Sequence, residues 1–418
     1  TMGFQQGLSG LNAASKNLDV IGHNIANSNT TGFKSSRADF AEMVASAIGS
    51  ASGQSSGIGV NVAAVSQQFR QGSITSTGNS LDIAINGNGF FVVKQADGST
   101  AYTRAGNFGL DKEGNLKTVD NDNVMGYMVD PATGKIQSGA TPVPLSFPTG
   151  QPIPAKQTSK VGVELNLDSR ATLAAGDATA TPPIAATPRA TYGTSLNVYD
   201  TQGTAIPVNL YFEKDATGNT WNIYNSLDAT ATPIGQATFD ASGKLTGVTP
   251  GTGTSLNLSI NGGTANPNGL PAFDVAFDFG GLTQFGAKFA VSSLKQDGYT
   301  SGALTGINVG RDGSIVAAYS NGVTRTEGQI ALAAFTNTQG LGSIGNNKWV
   351  QTADSGPALN GSAQTGTFGS LQAGALEESN VDLTAELVNM MTAQRSYQAN
   401  AQTIKTQDQV FSTLVNLR

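Results

Sequence analysis

His23 is the single imidazole in this sequence, and there is no cysteine to act beside it as a thiol nucleophile or zinc ligand. It falls inside a helical pattern close to an apolar seam, which predicts a packed or surface histidine and no catalytic base. Gly53-Gln54-Ser55-Ser56-Gly57 has the G-x-S-x-G spacing of a hydrolase elbow, with Ser55 as its nucleophile. That turn needs a buried strand before it and a helix after it, whereas here it sits in a Gly/Ser-rich stretch. Asp120-Asn121-Asp122-Asn123 opens like a calcium loop, but Val124 takes the fifth position, where an oxygen ligand is required, and the sixth is not glycine, so a turn is expected. Gly134-Lys135 and Gly243-Lys244 lack the earlier glycine and the following Ser or Thr of a phosphate loop. Glu377 and Glu378 make a carboxylate pair, yet they precede a helix start at Ser379 and Asp382, where negative charge suits the positive end of the helix dipole. The chemistry-bearing residues therefore predict no catalytic group, no metal and no cofactor.

The elements that would position such residues follow from composition. The chain has 418 residues, of which 52 are glycine and only 12% are charged, about half the usual ~25%. That balance favours strands and turns, with length for two to four domains at ~100–200 residues each. A net charge of −6 gives no drive towards phosphate backbones, so nucleic acid is not an expected partner. No stretch reaches the ~18 apolar residues of a membrane span, and the first thirty residues lack a basic start followed by an apolar run. Membrane insertion is not expected, and export would proceed without a cleaved leader of that kind. Avoidance of cysteine suits an extracellular life.

Helical seams stand at both ends. Phe4, Leu11, Leu18 and Ile25 are seven apart, with Gly7, Ala14 and Ile21 interleaved, until Asn27 to Gly32 supply turn formers. Leu383, Met390, Tyr397, Ile404 and Phe411 repeat the spacing, flanked by Leu387, Ala401, Leu414 and Val415. Few ion pairs support this second helix, so it needs a partner. Between the ends the pattern is β. Leu81 to Val93 runs through an Asn-Gly pair and reads as a hairpin, and Asp/Gly turns recur at 111–114, 130–134, 200–203, 215–218, 240–243 and 312–313. Aromatic residues such as Phe90, Tyr102, Trp221 and Trp349 sit in these runs and are expected in cores.

Composition shifts divide the β region. Ala45 to Gly59 reads as a flexible connector, Pro142 to Pro154 as a semi-rigid crossing, and Ala171 to Thr191 as an exposed loop. The expected class is mainly β with α-helical coiled-coil termini, with nested β-barrel or sandwich domains inserted between the two helices. The expected domains are a helical one at 1–30 and 376–418, a connector at 31–71 and 362–375, an inner β domain at 72–149 and 297–361, and an outer β domain at 150–296. Closing so long an insertion adds little cost, because the penalty grows only logarithmically with loop length.

The stretch NLDVIGHNIANSNTTGFK, from Asn17 to Lys34, resembles the N-terminal signature of bacterial flagellar rod, hook and hook-associated axial proteins. Asn17, Asn24, Asn27, Thr31, Gly32, Phe33 and Lys34 carry it. YTRAGNF at 102–108 and the block from Gly374 to Arg418 are similar to further segments of the same family; Thr1 ahead of Met2 is a departure. The long middle region favours the hook members over the shorter distal rod members. The resemblance implies an extracellular structural subunit that polymerises with itself into a curved helical tube, a flexible joint passing motor torque from rod to filament. It also implies, as partners, the distal rod protein, the hook cap protein, the hook-filament junction protein and the flagellar type III export apparatus. A secreted β-rich adhesin accounts for the middle of the chain but not for its paired helical ends, and a hydrolase using Ser55 accounts for less.

Overall fold

The computed structural model describes residues 2–44, 57–130, 135–137, 139–147, 152–260 and 270–416. Helix α1 spans Met2–Ala26 and helix α2 spans Leu383–Asn416, and the segment between them is almost entirely strands and turns. The chain divides into two units, one of Thr1–Gly150, Thr305–Ala318 and Thr324–Arg418, the other of Gln151–Leu304 and Tyr319–Val323.

In the first unit, α1 leads into strand β1 (Ser36–Val44), which pairs antiparallel with β2 (Gly57–Gln67). The connector expected at 31–71 is thus largely a hairpin. Val60, Val62 and Val65 supply strand-forming side chains, and the backbone groups of β2 find their partners on β1. Residues 45–56, including Ser55 and all of the G-x-S-x-G motif except Gly57, lie outside the described residues.

Among the described residues a twelve-stranded sheet forms most of the β part of this unit, with Thr324–Ala334, Asn123–Met128, Phe90–Lys94 and Thr100–Thr103 consecutive near its centre. Phe90, Val92, Tyr102, Met125, Tyr127, Ala331, Ala333 and Trp349 fill the core on one face, and Phe69 meets both Phe90 and Trp349 edge-on. The hairpin expected at Leu81–Val93 does not form. Ile83–Asn86 pairs with Ser370–Ala373, and Phe90–Lys94 pairs with Thr100–Thr103. Gly87 and Gly89 take φ of 114° and 125°, and a Cβ on Gly87 would lie 2.9 Å from the Cα of Gly369. The pair of glycines carries the chain past a crossing strand from one sheet to another.

Within the second unit, a four-stranded and a five-stranded sheet share one core. Val161, Val163, Leu165 and Leu167 point inward from Lys160–Asp168, in strict alternation with half-exposed or exposed neighbours. Phe212, Trp221 and Ile223 face them from the other sheet. No sheet closes into a barrel among the described residues, so of the expected barrel or sandwich it is two open sheets over a shared core that the second unit forms. Asp turns close hairpins at 111–114, 200–203, 215–218 and 240–243. At Asp111, Asp200 and Asp240 the carboxylate accepts main-chain N–H groups within its own turn. Residues 171–188 contain no strand or helix and are mostly exposed.

Asp297 ties two segments of this unit, accepting the N–H groups of Ser159 and Lys160 and pairing with Lys156 at 3.1 Å. Partial burial opposes its charge, but the hydrogen bonds outweigh it and hold the carboxyl well below the ordinary aspartate range. A depressed carboxylate contributes stability that is present above its unfolded pKa and lost as pH falls towards its folded one. Acid titration of the Trp221 fluorescence is therefore expected to show an Asp297→Asn chain that is less stable at neutral pH and less acid-sensitive than the parent. Identical acid midpoints would contradict this.

Candidate functional site

Helix α1 ends where its signature residues begin to make contacts. Asn27 donates to the carbonyl of His23 at 2.8 Å, closing the last turn, and Phe33 sits edge-on to His23 at 5.5 Å between ring centroids. The Asn24 amide accepts the N–H of Ser36 and donates to its carbonyl, both at 2.8 Å, and also donates to Glu386 of α2 at 3.2 Å. One buried side chain thereby holds α1, β1 and α2. Thr31 offers its carbonyl to the Asn347 amide, and Asn17 lines a groove of about 660 Å³ between α1, α2 and β1. Gly32 has φ +70° and a Cβ there would lie 2.6 Å from the backbone N of Ala105, so the tight passage requires glycine.

Lys34, the last signature residue, is buried. Its ammonium meets Glu377 Oε1 at 2.5 Å and donates to the carbonyl of Arg70 at 2.8 Å. Arg104, from the YTRAGNF segment, pairs with Glu377 Oε2 at 3.2 Å and donates to the carbonyl of Gly87 at 2.9 Å. Glu377 is fully buried and also accepts the N–H of Gly72 at 2.9 Å. Burial pulls both Lys34 and Arg104 below their ordinary pKa ranges, and the Glu377 carboxylate only partly offsets it. Two cations thus share one carboxylate, and Arg104 Nε is buried without a hydrogen-bond partner among the described residues.

This corrects the expectation that Glu377 merely charges the start of a helix. It lies in the short strand Ala375–Glu377, and the cap of α2 is Asp382, whose carboxylate accepts the N–H groups of Thr384 and Ala385 at 2.9 and 3.1 Å. Ser379, expected to start the helix, instead bonds the N–H of Val381 at 3.3 Å. Sequence reasoning also passed over Asn380, which accepts the N–H of Ser35 and donates to the carbonyls of Gln68 and Arg70. No periodic signal marks these contacts.

α1 and α2 run antiparallel. A Cβ on Gly7 would lie 3.1 Å from Ile404 Cγ1, and one on Gly10 would meet the Asn400 amide at 2.9 Å, so small residues let the two backbones approach closely. Ala14, Ile21 and Ala393 are buried there. Leu11, Leu18, Ile25, Met390 and Ile404 are half-buried. Phe4, Leu8, Leu383, Leu387, Tyr397 and Phe411 remain exposed by 38–46%, and Met391 by 54%. The side chain of Leu414 lies outside the described residues. The pair therefore buries its small-residue line and leaves many of its large apolar residues facing outward.

The remaining candidates resolve as structure. Lys348 lies between Asp120 and Asp122, 2.8 Å from the former and hydrogen-bonded to the latter. Burial works against its charge, but the two carboxylates raise its pKa. Among the described residues no group of His, Asp and Glu is arranged to hold a metal, and no helix is long and apolar enough to cross a membrane.

Four stretches match known families: residues 4–34 that of flagella basal body rod proteins, 84–160 the D1 domain of flagellar hook protein FlgE/F/G, 166–299 the flagellar basal body protein FlaE D2 domain, and 372–417 the C-terminal part of flagellar basal body rod FlgEFG proteins. The chain is 43% identical to the flagellar hook protein FlgE of Salmonella typhimurium and 44% identical to that of Escherichia coli, over the full length of both partners in each case. Identity to the corresponding Treponema pallidum protein is 34% across 99% of this chain and 98% of the relative. Among solved structures, the Helicobacter pylori flagellar hook protein FlgE2 superposes with a TM-score of 0.52 at 17% identity, covering 72% of this chain and all of that one, which is a likeness of fold.

Proposed function

This chain belongs to the flagellar hook protein family, and on that premise we propose that it is a structural subunit that polymerises with itself into the curved tube of the hook, the joint between rod and filament. The observation that carries the reading is the helix pair: α1 and α2 meet through Gly7, Gly10 and Ala14, yet Phe4, Leu8, Leu383, Leu387, Met391 and Phe411 stay exposed. Large apolar side chains left outward in rows call for further copies. Contacts of unlike surfaces that do not close into a ring build helical filaments.

In this reading the helices of 1–30 and 376–418 pack with those of neighbouring copies as coiled coils in an inner tube. An inner β domain of 72–149 and 297–361 and an outer one of 150–296 lie outside it. The connector of 31–71 and 362–375 joins helices to β domains. The tube is extracellular and its subunits leave through the flagellar type III export apparatus, with the distal rod, hook cap and hook-filament junction proteins as neighbours. Torque passes along the helices while β domains shift relative to one another as the tube turns.

Electron microscopy of the purified chain at rising concentration tests this. Curved tubes of uniform diameter are the expected result. A chain that stays monomeric at high concentration, and fails to restore hooks to a hook-less strain, would remove the reading.

A further inference from the structure

We propose that Asn88 is a site of spontaneous covalent modification: the folded chain leaves its bond to Gly89 open to deamidation and isoaspartate formation, and protects the other Asn-Gly pairs among the described residues. Asparagine is one of the thermally labile residues, and a following glycine has no Cβ to keep its amide nitrogen from the side chain. Four such pairs are described, at 86–87, 88–89, 321–322 and 360–361. In three of them the reacting groups are held. The N–H of Gly87 donates to the Gln71 amide at 3.0 Å. Asn321 engages both ends of its side chain, donating to the carbonyl of Thr300 at 2.6 Å and accepting the N–H of Val323 at 3.0 Å, and the N–H of Gly322 donates to the carbonyl of Tyr319. Asn360 and Gly361 lie in a strand opposite Ala333 and Leu332, where extended backbone holds the next nitrogen away from the side chain. Asn88 is exposed, and neither its side-chain amide nor the N–H of Gly89 makes a hydrogen bond among the described residues.

The reaction needs only water. The Gly89 nitrogen gives its proton to solvent and bonds to Asn88 Cγ, the side-chain nitrogen leaves as ammonia, and a cyclic imide remains. Water then breaks one of the two ring C–N bonds. Opening at Cγ leaves aspartate. Opening at the main-chain carbonyl carbon leaves isoaspartate, in which the backbone runs through Cβ and Cγ and gains a carbon, while the old carbonyl becomes a free carboxylate. That carbonyl is the one that accepts the N–H of Gly369 at 2.8 Å, at the crossing between the strands Ile83–Asn86 and Phe90–Lys94. Isoaspartate therefore lengthens the chain at the point where both strands are positioned. This holds for the single chain and does not depend on the polymer.

Ageing the full-length chain in warm, mildly alkaline buffer, with fragmentation mass spectrometry and enzymatic methylation of isoaspartate as readouts, tests it. Deamidation at Asn88 is expected about tenfold faster than at Asn86, Asn321 or Asn360, because the held pairs react only through local opening. In strong urea the rates should converge. The aged parent should lose several degrees in the melting transition of Trp349, which lies in the same unit, and none in that of Trp221. Asn88→Gln, whose longer side chain closes the ring poorly, should stop isoaspartate formation at that position and keep the Trp349 transition of aged protein unchanged. Asn88 reacting no faster than the other three in the folded chain would overturn the proposal, and so would a rate order that urea leaves as it was.

Discussion

Replacing Ile404 with aspartate is expected to stop polymerisation while leaving the melting of the β sheets within about 1 kcal/mol of the parent chain. Ile404 is half-buried on the face of α2 that meets Gly7, where the backbones come close. A carboxylate there would be pressed against Gly7 of α1, a cost of several kcal/mol once water is excluded. In the free subunit the helices can part and hydrate the charge. In a tube that escape is closed at every copy, so the penalty is repeated along the polymer. The clusters of buried apolar residues that form the two β cores draw none of their members from α1 or α2, which is why their melting should be spared. Gln402, exposed on the same helix, should accept aspartate with tubes intact. Sedimentation of polymers alongside thermal melts checks both halves, and a chain whose β melting drops with Ile404→Asp would show that the helix pair belongs to the fold rather than to assembly.

The largest loss of stability is expected from a smaller change, Gly106→Ala. The added methyl would lie 1.7 Å from the carbonyl oxygen of Ile83, 2.8 Å from its carbon and 3.1 Å from Phe91 Cε2, and two of those atoms are main chain and cannot rotate away. Gly106 itself accepts the N–H of Ile83 at 2.9 Å, so the loop presses directly on the strand Ile83–Asn86 and the core behind it. Relief requires moving one of them, at a cost of more than about 3 kcal/mol. At about 2–4 °C per kcal/mol for a unit of this size, the melting temperature should fall by roughly ten degrees. The two tryptophans report separately, since Trp349 lies in the first unit and Trp221 in the second. The loss should appear in the Trp349 transition and spare that of Trp221. Gly109→Ala, three residues on, meets open space and serves as the control. Equal melting of the two variants would mean that the loop yields freely and that the close approach at Gly106 carries no load.

Local order in the sequence accounts for a definite part of this protein. The seven-residue spacing from Phe4 to Ile25 and from Leu383 to Phe411 is enough for two terminal helices, because a helix brings residues of that spacing to one stripe whatever surrounds it. Asp111, Asp200 and Asp240 mark their hairpins, because an aspartate can satisfy main-chain N–H groups within its own turn. A mainly β middle follows from glycine, β-branched residues and scarce charge.

Other features came only with the tertiary structure. Asn86-Gly87 has the composition of a hairpin turn, but whether two flanking strands pair is settled by the competing partners, and Ser370–Ala373 and Thr100–Thr103 offered better ones. Valines at 60, 62 and 65 became a strand because Ser36–Val44 lay opposite. Which heptad line would be buried was likewise open: the close packing of α1 on α2 selected Gly7, Ala14 and Ile21, and left Phe4 outside. Most of all, Glu377 looked like a helix-start acid. Its role rests on Lys34 and Arg104, hundreds of residues away, and the energy of a buried charge is set by what stands next to it in space, which no period along the chain records.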